Sequence, residues 1–151
     1  MIFRSATIMD VEAISGLIDS FAATDLMLQR PKAMLYERIR EFIIAEEDNE
    51  VVGVGALSII WKDLAEVRSL AVRSSHQGKG LGKEMTERLV ASAKELGIEK
   101  VFTLTYQEGF FAKLGFDVVE KESMPQKVWK DCINCHKFPN CDETAMMKYV
   151  H

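Results

Sequence analysis

Val72-Arg-Ser-Ser-His-Gln-Gly-Lys-Gly-Leu-Gly82 decides the reading of this chain. It follows residues 64–72, a run that reads as a strand, and opens an amphipathic stretch over 81–96. There Leu81, Met85, Leu89, Ala93 and Leu96 recur at helical spacing, and Gly97 is a natural stop. Glycines at 78, 80 and 82 let successive backbone N–H groups approach one anion closely. The first N–H groups of the helix have no intrahelical acceptor and add to that site. Arg73, Lys79 and Lys83 contribute charge. Alone, a glycine cluster is a flexible connector; a strand before it and a helix after it favour the anion site. The spacing matches neither G-x-G-x-x-G nor G-x-x-x-x-G-K-[ST], so neither a Rossmann dinucleotide site nor a P-loop is expected.

Outward from this loop the pattern alternates. Residues 2–6 read as a first strand. Asp10 is placed to cap a helix through Phe21, with Val11, Ile14, Leu17, Ile18 and Phe21 on one face. Pro31 fits the first position of a second helix running to about Arg40. A meander follows: strands at 42–46, 50–61 and 64–72, with turns at Asp48-Asn49 and Lys62-Asp63. After the long helix come a buried strand at 100–106, a short helix at 108–114 ended by Gly115, a strand at 116–119 and a final strand at 145–150. This order predicts an α/β architecture, a central mixed sheet flanked by helices.

The 151 residues fit one domain over 1–151, with an irregular cysteine-containing tail at about 123–144. With 19 Lys and Arg against 23 Asp and Glu, the net charge is −4, which argues against a nucleic-acid partner but not against a local basic pocket. No apolar run approaches a membrane span. Met1-Ile-Phe-Arg-Ser-Ala6 carries no secretory pattern, so a cytoplasmic protein is expected. Expected partners are small molecules, with a homodimer left open.

Gln77-Gly-Lys-Gly-Leu-Gly82 resembles the Q/R-x-x-G-x-G/A signature of the GCN5-related N-acetyltransferase (GNAT) superfamily. Leu70-Ala-Val72 is similar to the strand end that precedes that loop, and Phe111-Ala-Lys-Leu-Gly-Phe116 resembles its Y-x-K-L-G-F segment. The resemblance covers about residues 2–120 and implies the GNAT fold, with acetyl-CoA as acetyl donor. It assigns the pyrophosphate to Gln77, Gly78, Lys79, Gly80, Leu81 and Gly82, and the oxyanion-stabilising backbone to Leu70, Ala71 and Val72. Within the superfamily, residues 61–72, 101–106 and 110–116, with Leu28-Gln-Arg-Pro31, resemble the acetyltransferase domain of the N-acetylglutamate synthases. That narrower likeness, to a short single-domain form without the kinase-like domain, implies an amino-acid acceptor. L-glutamate comes first, in the opening step of arginine biosynthesis. Arginine control, a property of the longer form, does not carry over with it.

Acetyl transfer to an amine requires amine deprotonation, stabilisation of the carbonyl oxygen, departure of the thiolate and alignment of both substrates. Glu66 is the candidate base: on a regular strand Glu66, Arg68 and Leu70 share one face, and the resemblance places Glu66 at the base of GCN5-type histone acetyltransferases. A salt bridge to Arg68 or Lys62 is the equal alternative. The family's tyrosine acid is Phe111 here, which leaves Tyr106 as the nearest phenol, against an ordinary strand aromatic. A dicarboxylate acceptor needs guanidinium forks, for which Arg68 and Arg30 are the candidates, each also readable as an ordinary charge. Thr105 can add contacts where the central strands part. Other readings are a GNAT acting on another amine and a non-catalytic acyl-CoA-binding module.

Cys132, Cys135 and Cys141, with His136 adjacent, have the chemical types of a zinc site. A fourth cysteine is absent, and a redox Cys132–Cys135 pair or three reduced thiols in a compact loop explain the tail as well.

Overall fold

The computed structural model describes residues 1–22, 31–123 and 143–150. Among these residues, seven strands form one sheet: β1 (Ile2–Ser5), β2 (Phe42–Glu47), β3 (Glu50–Trp61), β4 (Leu64–Val72), β5 (Lys100–Thr105), β6 (Asp117–Val119) and β7 (Thr144–Tyr149). Their spatial order is β1-β2-β3-β4-β5-β7-β6. The β4–β5 pair is parallel and the other pairs are antiparallel. The α/β architecture expected from the element order is therefore present, with β4 and β5 as its central parallel pair.

Alternation along the strands builds two cores. Helices α1 (Val11–Ala22) and α2 (Lys32–Glu37) cover one face, where Val11, Ile14, Ile18 and Leu35 pack on Phe42, Ile44, Val54, Ala56 and Ala71. The intervening positions face α3 (Leu81–Glu95), whose Leu81, Met85, Leu89 and Ala93 meet Ala45, Val52, Ala65 and Val67. At Gly53 a Cβ would lie 2.8 Å from Met85 Sδ, so the bare backbone is what lets α3 approach β3.

Helix entry into α1 differs from expectation. The chain turns one step earlier, in a 3₁₀ turn over Ile8–Asp10 capped by Thr7. Asp10 reaches back, accepting from the Thr7 N–H at 2.7 Å and from both terminal nitrogens of Arg4 at 2.8 and 3.0 Å. Arg4 holds the Asp10 carboxyl below the usual carboxylate range; burial opposes this, and the Thr7 bonds reinforce it. Pro31 sits at the N-cap of α2, and α2 stops at Glu37, yielding to a second 3₁₀ turn over Ile39–Glu41. The Asp48-Asn49 turn has φ of 53° and 65°, the left-handed pair that a two-residue hairpin needs.

Candidate active site

The site begins with an irregularity in β4. Val54 pairs with Ala71, but Ala56 pairs with Arg68, so Gly55 of β3 opposes two residues of β4, Ser69 and Leu70. The extra residue gives Ser69 a φ of 57°, the only left-handed non-glycine among the described residues outside the Asp48-Asn49 turn. Side-chain alternation slips across this bulge. Ala65, Val67 and Leu70 pack toward α3, while Ala71 packs toward α1. Leu70 therefore does not share a face with Glu66 and Arg68, as a regular strand would have it; the bulge moves it to the other side.

Glu66 and Arg68 stay on the α1–α2 face, opposite Ser58 and Ala56 in register. Arg68 donates from Nη2 to Glu66 Oε1 at 2.6 Å, and the two side chains are 8% and 10% exposed. Beside them, Ser58 donates to Glu41 Oε2 at 3.5 Å. Among the described residues, Glu41 Oε1 and Ser69 Oγ are buried polar atoms with no hydrogen-bond partner. The sequence reading missed Glu41 and Ser58, whose signal was a charge before one strand and a hydroxyl inside an apolar one.

The parallel β4–β5 ladder is short: Leu64–Lys100, Ala65–Val101 and Glu66–Phe102. Past it, Thr103 donates its hydroxyl to the Val67 carbonyl at 3.0 Å, while β5 continues pairing with β7 as far as Thr105–Thr144. The two central strands thus part beside Glu66. Thr103 bridges the base of the split. Thr105, the expected contact, uses its Oγ1 to accept the Gln107 N–H at 2.8 Å in the turn into α4 (Glu108–Ala112). Tyr106 follows immediately, partly exposed. Phe111 is buried, edge-on to Phe110 and Phe116 at 5.0 and 5.3 Å, and serves as core.

At the open end of β4, the chain passes through a 3₁₀ turn over Ser74–His76 into α3. Gly78 and Gly80 have φ of 78° and 80°, with nothing within 4 Å of an added Cβ. Their role is backbone conformation and an open approach. Gly82 differs: a Cβ there would lie 3.3 Å from the Phe110 ring, so this glycine seats α4 against α3. Gly80 is the N-cap of α3, and the Glu84 N–H is bonded to the Gly80 carbonyl. The N–H groups of Leu81, Gly82 and Lys83 precede that first helical bond. Leu81 buries its side chain and offers only its N–H. Gln77 Nε2 donates to the Val72 carbonyl at 3.0 Å, closing the loop on its own strand. Lys79 is exposed; Arg73 pairs with Glu50 at 2.8 Å. A loop with two left-handed glycines, the free N–H groups of a 15-residue helix after it and, among the described residues, open space around Gly78 and Gly80 is able to hold a pyrophosphate.

Arg30, Cys132, Cys135, His136 and Cys141 lie outside the described residues. Among the described residues no group of three His, Cys, Asp or Glu is placed to hold a metal ion, and no helix is long and apolar enough to cross a membrane.

Residues 14–116 match the acetyltransferase (GNAT) family. An uncharacterized N-acetyltransferase from Chlorobaculum tepidum is 41% identical over 96% of this chain and 94% of its own. An amino-acid acetyltransferase from Mycobacterium tuberculosis is 36% identical over 86% of this chain and 76% of its own. The crystal structure of N-acetylglutamate synthase from Neisseria gonorrhoeae, complexed with coenzyme A and N-acetyl-glutamate, superposes with a TM-score of 0.90 at 26% identity, covering 99% of this chain and 35% of that one.

Proposed function

The chain belongs to the acetyltransferase (GNAT) family and is an acetyl-CoA-dependent N-acetyltransferase, and from that premise we propose that its acceptor is the α-amine of a small amino acid, L-glutamate first. The observation that carries this reading is the buried Glu66–Arg68 pair on β4, next to the split between the central strands. It offers a carboxylate to an ammonium and a guanidinium to a carboxylate, the two charges every α-amino acid brings. The similarity to an amino-acid acetyltransferase over 86% of the chain supports it. N-acetylation of glutamate would then open arginine biosynthesis, in a single domain spanning 1–151.

Acetyl-CoA supplies the activated acetyl group, and the chain's residues do the rest. The Gln77 to Gly82 backbone holds the pyrophosphate and so aligns the thioester with the split. Past Glu66, among the described residues, the ladder from β4 to β5 ends; within Leu70–Val72, Ala71 turns its N–H to Val54 on β3, as Arg73 does to Val52, so the Val72 N–H faces the open edge and is the donor for the acetyl carbonyl oxygen. Glu66 takes the ammonium proton, directly or through water, and the free amine attacks. Arg68, with Arg30 from the segment before α2, engages acceptor carboxylate. Tyr106, or water, returns a proton to the departing thiolate.

The test is CoA release from acetyl-CoA with the purified protein and a panel of amino acids, polyamines and peptide N-termini. Glutamate is expected to give the highest kcat/KM. A polyamine or peptide that outperforms every amino acid would overturn the reading.

A further inference from the structure

Two residues far apart in sequence meet behind the donor loop. Glu47 ends β2, just before the Asp48-Asn49 turn, and His76 ends the 3₁₀ turn inside the loop. His76 Nε2 lies 3.1 Å from Glu47 Oε1, and its Nδ1 lies 2.8 Å from Ser75 Oγ. The imidazole is 18% exposed although it sits in an otherwise exposed loop. We propose that His76 is a positioning residue for acetyl-CoA: by strapping the loop to Glu47 on β2, it holds the pyrophosphate-binding backbone in its bound shape before the donor arrives.

Both ring nitrogens are used in either protonation state. In the neutral ring, Nε2–H donates to Glu47 and Nδ1 accepts from the Ser75 hydroxyl. In the imidazolium, Nε2–H still donates to Glu47 and Nδ1–H donates to the Ser75 oxygen. Glu47 is kept below the usual carboxylate range chiefly by the bond from His76, with its charge and that of Lys79 adding to the effect.

The loop needs such a fastening. Gly78 and Gly80 give it the left-handed turns that present its N–H groups, and glycine is the residue that loses most freedom when fixed. Of the loop's own side chains, Gln77 ties it to β4 through the Val72 carbonyl, which anchors its base but not its flank. His76 anchors the flank to a different strand. The strap has a second effect. The carboxylate of Glu47 stands near Lys79, one of the cations expected at the pyrophosphate, and engaging it with His76 restrains a negative charge beside an anionic ligand.

The experiment is steady-state kinetics of the full chain with acetyl-CoA and the best acceptor of the panel, paired with calorimetry of free CoA. His76→Ala is expected to raise the acetyl-CoA KM and the CoA Kd together by about three- to tenfold, the range for a partly exposed bond to a charged group, while kcat and the acceptor KM hold. His76→Gln keeps an N–H donor of similar reach and should recover most of that loss. Adding Glu47→Gln to His76→Ala should recover part of it by removing the released carboxylate. Unchanged CoA affinity in His76→Ala would overturn the proposal. So would kcat and the apparent affinities for acceptor and CoA all declining in step, the signature of a general structural defect with no role specific to the donor.

Discussion

Replacing Glu66 by Gln separates chemistry from packing. Glu66 takes a 2.6 Å bond from Arg68, with both side chains about nine-tenths buried. Glutamine keeps the shape but leaves a guanidinium in the interior without its counter-charge. Breaking a buried pair from one side costs about 3 kcal/mol at the lower end of its usual range. For a chain of this size that corresponds to a fall in Tm of about 6–12 °C. Loss of a general base lowers turnover by ~100-fold or more. The single variant should therefore show both defects. Adding Arg68→Met removes the stranded charge and replaces it with apolar bulk, so Tm should return most of the way. Turnover at saturating acceptor should not. The assay is CoA release at saturating substrates alongside thermal unfolding of the single and double variants. A double variant whose kcat recovers with its Tm would refute the reasoning: Glu66 would then be a structural partner of Arg68 and nothing more.

Three other outcomes follow from the geometry. Gly80→Val forces a β-branched residue to a φ of 80° at the N-cap of α3, and CoA affinity measured by calorimetry should be lost while the fold persists; an unchanged Kd excludes the loop as the pyrophosphate site. Arg68→Met alone should raise the acceptor KM by roughly ten- to a hundredfold and leave the acetyl-CoA KM nearly constant, the effect of losing one charge-assisted contact; equal rises in both constants would speak against a carboxylate contact. Asp10 has a depressed carboxyl in the folded state, so its stabilising contribution is present above its unfolded value of about 4 and is lost as pH falls through the lower folded value. Urea unfolding between pH 2 and pH 7 should show stability declining more steeply in acid for the wild type than for Asp10→Asn, and parallel curves would show that the Arg4–Asp10 pair carries none of the acid sensitivity.

Features of this protein that depend on neighbours along the chain could be read from the residues alone. The order of strands and helices was legible because a period of two or of 3.6 needs only a few consecutive residues, and β3 and β4 begin and end where that pattern breaks. The conformation of the glycine loop was legible for the same reason, since its two left-handed glycines and the start of α3 are contiguous. Features that depend on register and on distant partners took shape in the folded sheet. Leu70 changes face because two residues of β4 oppose one of β3, a count that no single strand contains. Thr103, not Thr105, bridges the split, because β5 leaves β4 at that height and Thr105 is drawn into the turn toward α4. Gly82 belongs to packing because Phe110 arrives from 28 positions later, and His76 finds Glu47 across 29. Such pairings form only when the sheet closes, and they convert a legible loop into a positioned one.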